Sequence, residues 1–383
     1  MKRDIPKKYS SGFFIQMKMK TENELQFMQR AIALARKGSF RVSPNPKVGC
    51  VLVKKGKVIS RGSHRHFGGR HAEINALREA GMRAKGSTMY INLEPCCHYG
   101  KTPPCTEAIK KAGVKKVVVG MVDPNPLVKG KGLRELKAQG IKIKLGVLTE
   151  ECAKLNEPYI KYITRRIPFV ILKSAMSLDG KIATQKGDSK WITSEASRKY
   201  AKALRSEVDA ILVGIDTVLK DNPGLLSSNS KKRPTRVIVD SRLRISLDAS
   251  VLNSRAPTIV ATRKGADKRK IENLQTRGVE VLQVPRWRKH PRRGLDLKFL
   301  MKQLAKRGVT SLLIEGGGKV NASALEMGLV DKVLFFIAPK IIGGEDAITP
   351  VEGEGIDRIG QAIILKDTRM RRFGEDFLFE GYI

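Results

Sequence analysis

No apolar run in the chain approaches the roughly 18 residues needed to cross a bilayer, so a membrane-spanning protein is not expected. The first twenty residues carry Lys2, Arg3, Lys7, Lys8, Lys18 and Lys20 against the single acid Asp4, and they lack the apolar stretch of a secretory signal. A cytoplasmic protein is the expectation. Acidic residues are scarce: 37 Asp and Glu stand against 74 Lys and Arg, a formal charge of +37. That imbalance is the electrostatic footprint of a nucleic-acid binder. It equally suits an enzyme for phosphorylated substrates or simply a basic proteome, and composition does not choose among the three. Cysteine is sparse and odd in number. Of Cys50, Cys96, Cys97, Cys105 and Cys152, three fall between positions 96 and 105, which reads as metal or catalysis before disulfide.

What is present supports two globular domains. The chain has 383 residues, 41% of them hydrophobic, enough for large cores and against wholesale disorder. Residues 1–20 form a basic tail without periodicity. A first domain is expected over 21–148, an irregular linker over 149–167 and a second domain over 168–383. In the first, Leu25, Met28, Ile32 and Leu34 fit an amphipathic helix, and 48–53 and 58–60 read as a hairpin around Gly56. Helices follow at 71–80, 104–112 and 133–138, with strands at 88–93, 117–120 and 141–145. The second domain offers strands at 169–172, 210–214, 236–240, 258–261, 279–283, 311–315 and 333–338, and helices at 194–205, 295–306 and 321–327. Such alternation predicts α/β sandwiches. The densest basic run, 286–293, is expected to be a surface loop.

The first domain carries a chemical pattern. His71-Ala72-Glu73 opens a helix, Pro95-Cys96 ends a strand, and Cys105 opens the next helix. This is the order found in zinc deaminases, where one histidine and two cysteines bind zinc and a glutamate that is not a ligand moves protons. Zinc takes an imidazole and two thiolates and leaves a fourth position to water. A helix N-terminus favours anions, so Cys105 is expected to be held as thiolate there. Glu73, in the same first turn as His71, can take a proton from a zinc-activated water and return it to leaving ammonia. A lone His-x-Glu is ordinarily surface chemistry, and a lone cysteine pair ordinarily a small hydrophobe. The joint pattern on the expected strand and helix ends is neither. Cys97 competes with Cys96 as ligand, but Cys96 follows the proline as the pattern requires. Cys50 reads as core, and Cys152 as having no special role.

Nucleoside and tRNA deaminases leave two residues between their cysteines, whereas eight, Cys97 to Pro104, intervene here. With Ser43-Pro44-Asn45-Pro46-Lys47-Val48-Gly49 and Asp123-Pro124-Asn125-Pro126, this spacing closely resembles the bifunctional deaminase/reductase family of riboflavin biosynthesis, from about residue 21 to the C-terminus. The resemblance implies a cytidine-deaminase-like α/β/α sandwich followed by a dihydrofolate-reductase-like α/β domain. It implies zinc on His71, Cys96 and Cys105, with Glu73 as the catalytic proton shuttle. Asn45, His64, His98 and Lys101 match positions lining the family's pyrimidine and phosphate pocket. Two departures are visible: Cys97 stands where serine is commoner, and Arg70 where proline usually precedes the His-Ala-Glu. Neither is a ligand position, so activity is expected to survive.

The second domain holds Lys173-Ser174-Ala175-Met176-Ser177-Leu178-Asp179-Gly180-Lys181, Ser189-Lys190-Trp191, Gly214-Ile215-Asp216-Thr217, Asp221-Asn222-Pro223 and Ile314-Glu315-Gly316-Gly317-Gly318. The last reads as a strand, three glycines and a helix, an arrangement that offers backbone amides to a phosphate. By itself it is also a plain strand-to-helix turn. No G-x-G-x-x-G followed by an acid occurs, so an ordinary dinucleotide-binding domain is not supported. The whole set resembles the reductase domain of the same family. That resemblance implies NADPH contacts at Ala175, Trp191, Thr217, Asp221, Ser241 and the segment Gly317, Gly318, Lys319, Val320, Asn321, Ala322 and Ser323. It implies substrate contacts at Ser189, Arg205, Leu225 and Glu315. The family's arginine on the substrate phosphate is missing, because Ser228 occupies its place, and Lys231, Lys232 or Arg233 could substitute.

Together these readings imply hydrolytic deamination of 2,5-diamino-6-ribosylamino-4(3H)-pyrimidinone 5′-phosphate by a zinc-activated water, then NADPH reduction of the ribosyl side chain to ribityl. The expected partners are small phosphorylated pyrimidines, with no nucleic acid and no membrane, and homo-oligomer formation is left open. The alternative is a zinc deaminase of nucleic acid or nucleotide whose C-terminal domain is inactive or divergent. The wide cysteine spacing and the second domain argue against it.

Overall fold

The structure, a computed structural model, describes residues 11–100, 102–287 and 294–383, with side chains described from residue 22 onward. Two compact units emerge, Met1–Thr164 and Arg165–Ile383.

The first unit is an α/β/α sandwich. Helix α1 (Ser11–Arg36) precedes β1 (Gly49–Lys54) and β2 (Lys57–Ser63); then come α2 (Ala72–Ala80), β3 (Thr88–Leu93), α3 (Cys105–Lys111), β4 (Lys116–Met121), α4 (Lys131–Ala138) and β5 (Lys142–Leu145). Among the described residues the strands form one five-stranded sheet in the order β2-β1-β3-β4-β5, antiparallel as far as β3 and parallel beyond it. Two-residue alternation splits its side chains between two cores. Cys50, Leu52, Met89, Ile91, Val117 and Val119 pack under α2, α3 and α4, while Val51, Val53, Tyr90 and Val118 pack under α1. The parallel β3 and β4, covered on both faces, are accordingly almost wholly apolar. Gly62 lets α2 lie directly on β2, since a Cβ there would stand 2.0 Å from the Ala72 carbonyl oxygen. That contact sets the height of the helix start carrying His71 and Glu73.

Residues 149–167, read from sequence as an irregular linker, are two helices, α5 (Thr149–Leu155) and α6 (Glu157–Arg165). Helix α5 buries Cys152 beside Val147 in the α1-side core. Each helix spans no more than two and a half turns, too few to show a clear periodicity, and this hid them. Residues 11–20, read as part of a loose tail, already belong to the backbone of α1; residues 1–10 lie outside the described residues.

The second unit runs β6 (Phe169–Ser177), α7 (Glu195–Leu204), β7 (Ala210–Gly214), α8 (Ile215–Asp221), β8 (Thr235–Val239), β9 (Thr258–Thr262), α9 (Lys268–Thr276), β10 (Glu280–Gln283), α10 (Leu297–Lys306), β11 (Ser311–Ile314), α11 (Gly318–Glu326), β12 (Lys332–Ala338), β13 (Lys366–Phe373) and β14 (Asp376–Tyr382). Among the described residues these strands form one nine-stranded sheet, β10-β9-β8-β7-β11-β6-β12-β14-β13. Only the β12–β14 and β14–β13 pairings are antiparallel. One face packs under α10 and α11 through Leu172, Leu212, Leu300, Leu304 and Ala324. The other packs under α8 and α9 through Ile211, Val213, Val218, Ile238 and Leu274. Side chains of Ser194, Asp267 and Asp296 cap α7, α9 and α10 by accepting backbone N–H bonds. Of the basic run 286–293, Arg286 pairs with Leu295 in an isolated bridge, and 288–293 lie outside the described residues. No helix among the described residues is long and apolar enough to cross a membrane.

Candidate active sites

In the first unit the start of α2, the end of β3 and the start of α3 converge. His71 is the N-cap of α2, and Cys105 is the first residue of α3. The His71 Nδ1 lies 3.3 Å from the Cys105 sulfur and 3.5 Å from the Cys96 sulfur, and all three donor atoms lie within 4.8 Å of one another. A tetrahedral zinc with ordinary Zn–N and Zn–S bonds holds nitrogen and sulfur about 3.5 Å apart, so the three residues fit that metal without rearrangement. The other ring nitrogen of His71 is 3.4 Å from the Thr102 hydroxyl, which leaves Nδ1 to face the sulfurs. Cys97 does not join the group; its sulfur faces the Leu127 carbonyl.

The charges of this trio are interdependent. Hydrogen bonding from Cys105 holds Cys96 far below the usual thiol range, with further help from His71. Its partnership with Cys96 pushes His71 up to about 9. Between the two cysteines the protein environment alone favours the negative charge on Cys96. Cys105 is driven up by its bond to Cys96, by burial and by the neighbouring Glu73. The helix-start amide of Cys105 instead stabilises Cys96. Glu73, 3% exposed, is raised chiefly by burial.

A cavity of about 310 Å³ opens beside the trio, and its wall includes Asn45, His64, Glu73 and His98 together with His71 and Cys96. The His64 Nδ1–H donates to the Arg70 carbonyl at 3.1 Å, so its Nε2 accepts from the Asn45 amide at 3.1 Å. Burial lowers the pKa of His64 and keeps that neutral tautomer. The Arg70 departure is thus absorbed by its backbone carbonyl, which also accepts from Asn75. His98 Nδ1 is buried with no hydrogen-bond partner among the described residues. Lys101 lies outside the described residues.

Sequence reasoning missed part of this wall. Asp123, Asn125, Tyr159 and Tyr162 line the same cavity. The Tyr159 hydroxyl, from α6, donates to Asp123 at 2.9 Å. Asp123 and Asn125 had been visible only as a motif. Nearby Glu94 is buried, and its carboxylate accepts three backbone N–H bonds, from Asp123, Gly130 and Leu133. It shapes the loop before α4.

In the second unit a cavity of about 350 Å³ lies at the carboxyl ends of the parallel strands. It gathers Ser189, Thr217, Asp221, Gly317, Gly318, Lys319 and Val320 from the sequence-derived set. An adjoining cavity of about 660 Å³ adds Ser241, Ala322 and Ser323 and shares Lys319. At Gly318 a Cβ would stand 2.5 Å from the Thr349 carbonyl oxygen, so only glycine lets the segment around Thr349 and Glu352 pack against the start of α11. The uncapped amides of that helix start suit a nucleotide phosphate, and the fold around them fits NADPH.

Other expected residues play different local parts. Asn321 is buried, and its side-chain amide donates to the Pro350 carbonyl at 2.7 Å. Ala175 packs against the core near Phe336. Trp191 is 62% exposed, with the Arg198 guanidinium 4.4 Å above its ring. Arg205 and Glu315 are brought together as a bidentate pair, both bonds 2.8 Å long. The Leu225 side chain is buried in the core, while its backbone takes a left-handed φ of 48°. Ser228 faces the Ser206 hydroxyl at 3.2 Å. Of the three cations considered as substitutes there, Lys232 is committed to Asp209 at 3.1 Å.

An imidazole–dithiolate centre with a buried carboxyl, in an α/β/α sandwich, joined to an α/β unit with a glycine-lined nucleotide cavity, defines a zinc deaminase fused to a nicotinamide-dependent reductase. Comparison with known proteins agrees in each half. Residues 21–121 match the cytidine and deoxycytidylate deaminase zinc-binding region, and residues 168–379 match the RibD C-terminal domain. The riboflavin biosynthesis protein RibD of Actinobacillus pleuropneumoniae is 44% identical over 94% of this chain and 96% of its own length. That of Aquifex aeolicus is 43% identical over 93% and 98%. Among solved structures, Acinetobacter baumannii RibD superposes with a TM-score of 0.84 at 36% identity, covering 94% of this chain and 99% of that one. The Thermotoga maritima diaminohydroxyphosphoribosylaminopyrimidine deaminase/5-amino-6-(5-phosphoribosylamino)uracil reductase gives 0.82 at 37%, covering 95% and 99%. The chain belongs to the RibD family of bifunctional deaminase/reductases, enzymes of riboflavin biosynthesis that use zinc in one domain and NADPH in the other.

Proposed function

We propose that the first unit hydrolyses the C2 amine of 2,5-diamino-6-ribosylamino-4(3H)-pyrimidinone 5′-phosphate. The second then reduces the ribosyl side chain of 5-amino-6-(5-phosphoribosylamino)uracil to ribityl with NADPH. Its ligands are free small molecules in the cytoplasm rather than nucleic acid. The observation that carries the reading is a buried carboxyl, Glu73, beside a His71–Cys96–Cys105 trio spaced for zinc.

Zinc held by His71, Cys96 and Cys105 would lower the pKa of a bound water toward neutrality. The Glu73 carboxylate accepts a proton from the attacking water and delivers it to the departing amine, so that ammonia leaves and a carbonyl forms at C2. Burial, which raises Glu73, makes it a better proton acceptor than an exposed carboxylate. Asn45, His64 and His98 orient the pyrimidine, and Lys101 meets its phosphate. In the second unit, Thr217, Asp221, Ser241 and 317–323, with Ala175 and Trp191, hold NADPH. Ser189, Arg205, Leu225 and Glu315 hold the sugar phosphate. Hydride transfer needs no protein nucleophile, only the nicotinamide carbon placed against C1′ of the opened sugar.

Glu73→Gln is expected to retain zinc by elemental analysis and to lose ammonia release by about 10²–10⁴-fold. Persistent activity would remove the shuttle role. Ammonia from the diaminopyrimidine but not from tRNA separates this reading from a nucleic-acid deaminase. NADPH oxidation on the deaminated intermediate tests the second half directly.

A further inference from the structure

We propose that residues 339–352 form a strap across the nicotinamide-nucleotide cavity of the second unit, and that Asp179 is the positioning residue that fastens it. The proposal rests on reading that cavity as the NADPH site. After β12 the chain runs through this segment without regular structure, and Ile348 and Glu352 line the cavity together with Ser189 and Thr217. Its far end is tied to the glycine turn, where the Glu352 amide donates to the Gly318 carbonyl at 3.2 Å and Asn321 holds Pro350. The middle meets the other wall, where the Ile182 amide donates to the Ile348 carbonyl at 2.8 Å.

At the near end one carboxylate takes two of the segment's amides. The amides of Ile342 and Gly343 donate to the two oxygens of Asp179 at 3.1 and 2.7 Å, and the Ser177 hydroxyl donates at 2.5 Å. The Leu178 amide donates to the Lys340 carbonyl at 2.8 Å, and the Lys340 ammonium donates to the Trp191 carbonyl at 2.8 Å. Little apolar packing backs the near end, since Ile341 is 78% exposed and Gly344, Glu345 and Asp346 are exposed as well, whereas Ala347 and Pro350 beyond them are buried. A segment held by polar bonds at the surface opens at low free-energy cost. Farther along, the Lys181 ammonium donates to the Ala347 carbonyl at 3.3 Å and the Gln185 amide to Asp346 at 3.0 Å. Losing the one group that takes two amides therefore loosens the near end, 341–344, and leaves the far end tied. The Ser177 hydroxyl and then the two amides hold Asp179 down to about 2, so the clasp stays charged throughout the working range of an enzyme.

The test uses the full chain with Asp179→Asn and Asp179→Ala, and follows three readouts. Hydrogen exchange at Ile342 and Gly343 is expected to accelerate about tenfold or more. The NADPH Kd, from equilibrium binding without substrate, should weaken about tenfold. In steady state the KM for NADPH should rise while kcat at saturation stays within about twofold, and Asp179→Glu should recover part of the affinity. Ammonia release and the thermal transition serve as controls for folding. If the strap amides stay protected, or exchange accelerates while NADPH affinity is unchanged, the strap proposal is overturned. A wild-type chain that binds no NADPH overturns the cofactor reading, and the strap with it.

Discussion

Among the described residues Arg236 is one of the largest fully buried side chains. Its guanidinium donates to the Asn253 side chain at 2.9 Å, to the backbone carbonyls of Asn253 and Ala256, and more weakly to Gly224. Burial alone pushes it down to about 10, which leaves it charged at neutral pH. Replacing it with methionine fills similar volume but strands those carbonyl oxygens. Arg236→Met should therefore cost about 3 kcal/mol of second-unit stability by denaturant titration, and lysine, lacking the planar fork, should not restore it. Arg205 poses a related problem with a true counter-ion. Removing it leaves the Glu315 carboxylate buried, at an expected cost of about 3–5 kcal/mol, whereas replacing both partners with methionine should cost less. A single variant no worse than the double would remove this explanation. In the first unit, burial pushes Asp123 up to about 6, against stabilising bonds from Asn125 and Tyr159. The folded value lies above the unfolded value near 4, so the fold binds this proton more tightly. The contribution of Asp123 thus favours folding below about pH 4 and is lost as pH rises through about 6. Tyr159→Phe removes a donor to the charged form and should move the titration upward, as carboxyl NMR can measure.

The helices α5 and α6 change what counts as the first enzyme. Tyr159, Tyr162 and Ile163 of α6 form part of the cavity wall, and Cys152 of α5 is buried beneath α1. A fragment ending at residue 166 should release ammonia, whereas one ending at 148 should expose that core, lose the Tyr159–Asp123 bond and be inactive even with zinc supplied. Equal activity of the two fragments would make the helices dispensable. Local patterns explain which parts of this were legible beforehand. His71, Glu73, Cys96 and Cys105 sit at helix and strand ends whose positions follow from nearby residues, so their convergence could be read from spacing. Strands such as β3 and β4 were visible as short apolar runs between turn residues. Tyr159 reaches Asp123 across 36 positions and Arg205 reaches Glu315 across 110, and no periodicity records a meeting of that kind. Strand β13, Lys366–Phe373, is exposed along nearly its whole length and rich in charge, so it carries no alternation to detect. It is a strand because β14 pairs with it. Helices α8 and α9 were lost for another reason: α8 follows β7 without a break, and α9 buries little beyond Leu274.

At the scale of the whole molecule, the charge of +37 first pointed to nucleic acid. The family and its two cavities ask instead for capture of small anions, which a positive field assists. The KM for the phosphorylated pyrimidine should therefore rise with ionic strength while kcat holds, because screening weakens encounter and not proton transfer. The two halves also keep separate accounts of stability. The sheet of the first unit is packed between its own helices, that of the second between a different set, and the three residues proposed to hold zinc all belong to the first. Stripping zinc with a chelator should abolish ammonia release and restoring it should recover the activity. NADPH affinity in the same stripped protein should stay within about twofold, since binding free energy from a metal is felt by the unit whose fold holds the ligands. A parallel loss of NADPH binding on chelation would mean that the metal supports both cores. The deaminase could then no longer be treated as an independent folding unit.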